Sequence, residues 1–209
     1  MTSTDDLIRS LASAAGAQRS ASLQVAFAVT VAASLVCALL LVFSVIGIRP
    51  DFADMAVRLP FGFKLAYTGS LVVGTFVVAL YAATPGASAI ALYALSPAVI
   101  LLALGVIFDP TGFPIMGRTN TAVVFCVSSI LFLSLPVMIL TFVVMRKGAP
   151  TQPPFAGAVI GVLSASVGAM AYTLACKNDG TAFVATWYTA ACAIMAFIGA
   201  VVGHRVLRW

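Results

Sequence analysis

Thiols are the most reactive groups this sequence offers. Its four cysteines are Cys37, Cys126, Cys176 and Cys192, and they are accompanied by one histidine, His204. A thiolate can act as a nucleophile, bind a soft metal or supply half of a disulfide. The four residues form no CxxC, so the usual motif of thiol oxidoreductases is absent. A single histidine excludes bis-histidine haem and a histidine-rich metal site. No GxSxG elbow, HExxH pair or phosphate-binding loop occurs. No catalytic residue is therefore assigned, no cofactor is expected, and the chain does not read as an enzyme.

The elements that carry these thiols are membrane spans. Of 209 residues, 62% are hydrophobic and 8% charged, and the mean hydropathy is +1.13. A soluble domain carries about 25% charged residues, so this composition cannot clothe a surface in water. Six apolar runs, at about 24–48, 63–83, 88–108, 121–145, 155–175 and 181–203, are each long enough to cross about 30 Å of hydrocarbon. The predicted fold is all-α: a polytopic six-helix bundle in a lipid bilayer, preceded by a tail over residues 1–23. Arg49-Pro50-Asp51, Thr84-Pro85-Gly86, Asp109-Pro110, Arg146–Pro150 and Lys177-Asn178-Asp179-Gly180 separate the runs. Lys64 is expected to snorkel at the start of the second span, and Pro136 to kink the fourth. The net charge of +5 then reflects cations flanking spans rather than a nucleic-acid surface.

Six spans place both termini on one side. With the amino end cytoplasmic, the inside holds Arg9, Arg19, Arg146, Lys147, Arg205 and Arg208, against Arg49, Arg58, Lys64, Arg118 and Lys177 outside. The positive-inside rule favours this orientation by one residue. Gly157, Gly161, Ala165 and Ala169 line one face of span five, and Gly199 and Gly203 repeat the spacing in span six. Such faces pack closely, within the chain or as a homodimer seam.

Span parity sorts the cysteines. Cys37 and Cys192 fall mid-span, where cysteine commonly serves as a small apolar residue. Cys126 follows the start of span four and Cys176 the end of span five, so both lie near one membrane face. With the amino end inside, that face is extracytoplasmic, where thiols can oxidise or meet metal ions. Two thiols can form one disulfide or help to bind a soft metal, and they are too few for a closed zinc site. Coincidence is the bland alternative.

The tail has its own pattern. Ser3-Thr4-Asp5-Asp6 suits a helix start. Leu7, Ile8, Leu11, Ala12 and Ala15 then share a face, with Asp5 and Arg9 paired on the other. Such a helix can lie on lipid or dock into a groove of a soluble partner. No acid lies in the core of any span, which disfavours an ion-coupled transporter. A small transporter or channel would have to use Ser129, Ser134, Thr141, Ser164 and Ser166, hydroxyls that more often bond their own helix. A quinone- or thiol-linked redox protein is a further alternative.

The segment Thr4-Asp5-Asp6-Leu7-Ile8-Arg9-Ser10-Leu11-Ala12 resembles the amino end of the NrsF family, bacterial membrane anti-sigma factors. Arg49-Pro50-Asp51, Met145-Arg146-Lys147-Gly148-Ala149-Pro150, Trp187-Tyr188-Thr189 and Arg208-Trp209 fit the same family, in order, over nearly the whole chain. The resemblance implies an extracytoplasmic-function sigma factor of the sigma-F type as partner, held at the inner membrane by a cytoplasmic tail, here Asp5, Asp6, Leu7, Ile8, Arg9 and Leu11. It implies no direct contact with nucleic acid. It also implies release under oxidant or heavy-metal stress, with Cys126 and Cys176 as the sensing residues. Many family members carry histidine before the second cysteine, where this chain has Ala175. That departure favours thiol oxidation over a metal site completed by histidine.

Overall fold

A computed structural model describes residues 4–84, 89–108, 112, 114–117, 119 and 122–208; the side chains of residues 7, 10–21 and 89 lie outside that description. Every described regular element is helical. Backbone in hydrocarbon has no water to bond, so each apolar run must satisfy its own N–H and C=O groups by winding into a helix. Six stretches are long and apolar enough to cross a membrane.

Helix α1 (Thr4–Leu41) contains both the amphipathic tail segment and most of the first span, without a break. It continues through a π-turn at Val42–Ile46 into Gly47, whose φ of 83° redirects the chain towards Arg49. A short α2 (Phe52–Met55) precedes α3 (Leu59–Ala82). The turn at Thr84-Pro85-Gly86 and the stop at Asp109-Pro110 fall at least partly on residues outside the description. The third span differs from the single α-helix expected. Residues Ala89–Leu95 wind as a 3-10 helix, and α4 (Ser96–Ile107) follows. Pro97 explains the change: its ring cannot accept a preceding α-turn, but it suits the first turn of a new helix. The same rule starts α3 at Leu59-Pro60 and α6 (Pro153–Tyr172) at Pro153-Pro154. Helix α5 (Ala122–Met145) runs through Pro136, and α7 (Thr181–Val206) ends the fold.

Helix α6 is the most enclosed span, packed by α7, α5, α3 and α1. Its glycines decide how closely α7 can come. A methyl group on Gly157 would overlap the Gly199 carbonyl, and one on Gly161 would overlap the Met195 carbonyl. The small-residue face is thus used inside the chain, backbone against backbone. Helices α1 and α4 turn Val25, Val29, Val36, Leu40, Val99 and Ile107 outward, as expected of surfaces that meet lipid.

The interior offers no polar path along the hydroxyls considered above. Ser134 donates to the Ile130 carbonyl (2.6 Å), Ser164 to Ile160 (2.8 Å) and Ser166 to Leu163 (2.8 Å), while Thr141 bonds the Val137 carbonyl. Each returns to its own helix. Ser129 lies against the Tyr172 hydroxyl.

Candidate functional site

The site lies where α5 begins and α6 ends. Cys126 is near the start of α5, and Cys176 follows α6 in the segment leading to α7. Both are fully buried in one apolar cluster with Ile130, Tyr172, Phe183 and Tyr188. The two thiols interact directly and are not bonded as a disulfide. Cys192 is buried in a separate part of the core, and Cys37 is half-buried on α1. The Cys176 thiol donates to the Asn178 carbonyl at 3.6 Å. Its neighbour Tyr188 is wholly buried, and the Tyr188 hydroxyl makes no well-formed hydrogen bond among the described residues. An unsatisfied buried donor of this kind costs about 1–3 kcal/mol, a reason to expect the pocket to be sensitive to any new polar partner.

A buried ion cluster sits directly behind Cys176. The Arg49 guanidinium meets both oxygens of Asp179, at 2.9 Å from Nη1 to Oδ1 and 3.1 Å from Nη2 to Oδ2. Lys64 Nζ donates to Asp179 Oδ1 at 2.9 Å. Arg49, Lys64 and Asp179 are 3%, 1% and 3% exposed. Asp51 completes the charge balance from the half-exposed rim, accepting from Arg49 Nε and Nη2 at 2.8 Å each. The snorkelling expected of Lys64 is therefore overturned. A lysine released towards water would strand the Asp179 carboxylate in a dry site, and the pair keeps both inside. Removing one partner of such a pair costs about 3–5 kcal/mol, because a charge is left uncompensated.

The same two cations hold the backbone beside the thiol. Arg49 Nη1 and Lys64 Nζ donate to the Cys176 carbonyl at 3.0 and 3.3 Å, and the Arg49 N–H donates to the Leu174 carbonyl at 3.2 Å. Residues 174–179 are thereby fastened to the far end of the first span and the start of the second.

Electrostatics follow from these contacts. Burial works against the charged form of Asp179, but Arg49 and Lys64 outweigh it and hold the carboxyl below its ordinary value. The hydrogen bond from Arg49 draws Asp51 down to about 2. Arg49 is raised, first by Asp51 and then by Asp179, against its desolvation. The hydrogen bond from Cys126 outweighs burial and, helped by the Lys64 charge, makes Cys176 more acidic than an ordinary thiol. Cys176 is consequently the sulfur favoured to ionise first.

A cleft of about 450 Å³ opens beside the cluster, lined in part by Ile48, Arg49, Phe125, Tyr172, Ala175 and Lys177. It brings solvent to the residues next in sequence to both thiols. Among the described residues no group of three or more His, Cys, Asp or Glu is arranged to hold a metal ion.

The tail residues lie elsewhere. Asp5, Asp6, Ile8 and Arg9 are exposed on the first turns of α1, with Ile8 58% exposed; the side chains of Leu7 and Leu11 lie outside the described residues. Residues 4–21, which precede the span, make a helical segment about 27 Å long.

Sequence reasoning missed Arg49, Lys64 and Asp179 as a unit. A signal was available: span parity places the end of span one, the start of span two and the link between spans five and six on one face.

The family model described as "Negative regulator of sigma F" matches residues 11–209. The "Probable anti-sigma-F factor NrsF" of Azospira oryzae is 30% identical over 212 residues, covering 99% of each chain. The "Anti-sigma-F factor NrsF" of Caulobacter vibrioides is 30% identical over 215 residues, again 99% of each. No solved structure matches the chain. With the six spans, the anchored cysteine segment and a match along almost its full length, the chain belongs to the NrsF family.

Proposed function

We propose that this protein is a multi-pass membrane anti-sigma factor. It holds an extracytoplasmic-function sigma factor of the sigma-F type at the bacterial inner membrane and releases it when Cys126 and Cys176 react. The observation that carries the reading is the pair of thiols buried side by side at one end of the bundle. Their segment is tied to the exit of a span whose helix also contains the tail. The relatives' names supply the partner class.

Both termini face the cytoplasm in this reading. The exposed Asp5, Asp6, Ile8 and Arg9, with Leu7 and Leu11, form the surface that takes the sigma factor. Residues 1–23 are the cytoplasmic tail and 24–209 the transmembrane domain. Cys126 and Cys176 face the extracytoplasmic side. A peroxide oxidises them by accepting two electrons: the two thiols lose two protons and form one S–S bond, and the peroxide leaves as two waters. A soft heavy metal instead displaces two protons and bridges the sulfurs.

The test is co-purification of the sigma factor with the intact protein, before and after peroxide or a thiophilic metal. Retention before treatment and loss after it is expected. The double variant Cys126→Ser, Cys176→Ser should retain the sigma factor under both conditions. Release from that variant equal to wild type would remove the sensor role, and absence of the sigma factor from untreated preparations would remove the anti-sigma role.

A further inference from the structure

Oxidation and metal binding have one event in common: the Cys176 sulfur takes a new bonding partner and is drawn towards it. In the reduced protein that sulfur lies 3.6 Å from the Asn178 carbonyl oxygen, closing a small turn next to Asp179. The Cys176 carbonyl is itself held by Arg49 and Lys64. Displacement of Cys176 therefore pulls on the short segment that carries Asp179. Asp179 is the anion shared by Arg49 and Lys64, and Arg49 lies just past the π-turn that ends the first span.

We propose that Asp179 is a latch: a positioning residue that transmits displacement of Cys176 to α1 by loosening its bidentate grip on Arg49. The inference rests on the anti-sigma reading above and adds the route by which the signal leaves the thiols. Three features make the grip suited to this. It is bidentate, so a small rotation of the carboxylate costs two bonds. It is buried, so water has little access to replace them. It is shared, so Arg49 and Lys64 both lose their partner when it moves. Asp51 also holds Arg49, from the half-exposed rim, which gives the guanidinium a position to relax towards. The output is a change in how the end of the first span is held, delivered to a helix that begins at Thr4.

The test uses full-length protein in cells with a reporter for sigma-F-type transcription. Asp179→Asn keeps the shape and removes the charge. The latch predicts at least a tenfold rise in uninduced reporter expression with an unchanged amount of protein in the membrane. It predicts the same rise in the Cys126→Ser, Cys176→Ser background, because the latch lies after the thiols. Asp179→Glu should restore most of the repression.

If Asp179→Asn is degraded, the double variant Lys64→Gln, Asp179→Asn removes one charge of each sign and leaves Arg49 on Asp51; it should be stable and equally derepressed. Normal repression and normal induction in a stable variant would overturn the latch while leaving the thiol sensor intact. Derepression that disappears in the cysteine-less background would also overturn it, by placing Asp179 before the thiols. Failure of the anti-sigma reading itself would show differently: deleting residues 2–16 would leave reporter expression low.

Discussion

The two ends of the bundle use the same residue types in opposite ways. At the cysteine end, Arg49, Lys64 and Asp179 are buried and paired, and their bonds run to backbone carbonyls of residues 174 and 176. At the opposite end, Arg146, Lys147, Arg205 and Arg208 are exposed, and Arg208 meets His204 at 3.3 Å. Buried pairs fix geometry, whereas exposed cations mainly set local potential. One end is therefore built to hold a defined state, and the other presents unburied positive charge.

Perturbing both ends sharpens this contrast. The largest effect should come from the tail: removing residues 2–16 should raise target transcription to the level of cells lacking the protein, as read by a reporter, without loss of the membrane-inserted chain. Next is Arg49→Met, which leaves Asp179 with Lys64 alone and unties residues 174–176. It should cost about 3–5 kcal/mol, measured as a fall in thermal stability in detergent.

Acid should act on the cysteine end in the same direction. Asp179 and Asp51 are both held below their ordinary values in the folded protein, Asp51 at about 2 rather than 3.8. Their stabilisation is complete above the unfolded carboxylate value and is lost as pH falls through the folded one. A melting series should thus show stability falling between about pH 4 and pH 2, with a shallower fall in Arg49→Met. The smallest effect belongs to the exposed end. Arg205→Gln should change stability by less than about 0.5 kcal/mol; a loss as large as that of Arg49→Met would end the contrast drawn here.

The architecture was legible in the sequence because hydrocarbon imposes a simple requirement, a long apolar run, and all six runs meet it. The 3-10 segment at Ala89–Leu95 was not, although Pro97 marked the place; propensity alone did not say which side of the proline would stay α-helical. The cysteine pair was half legible: parity put Cys126 and Cys176 on one face, but packing alone brings the sulfurs together. Lys64 was misread because a lysine at a span end usually reaches for water, and the partner that keeps it inside lies 115 residues further along. Pairing over such a separation leaves no local trace in one sequence.

The glycine contacts between α6 and α7 have a mechanical consequence. Because the backbones touch at Gly157, Gly161, Gly199 and Gly203, these two helices behave as a single beam with no gap to close and little freedom to slide. The link from 173 to 180 joins the ends of that beam. Strain introduced in that link cannot be dissipated by parting its two supports. It is discharged sideways, into the neighbours that are held by charge rather than by interlocking backbone.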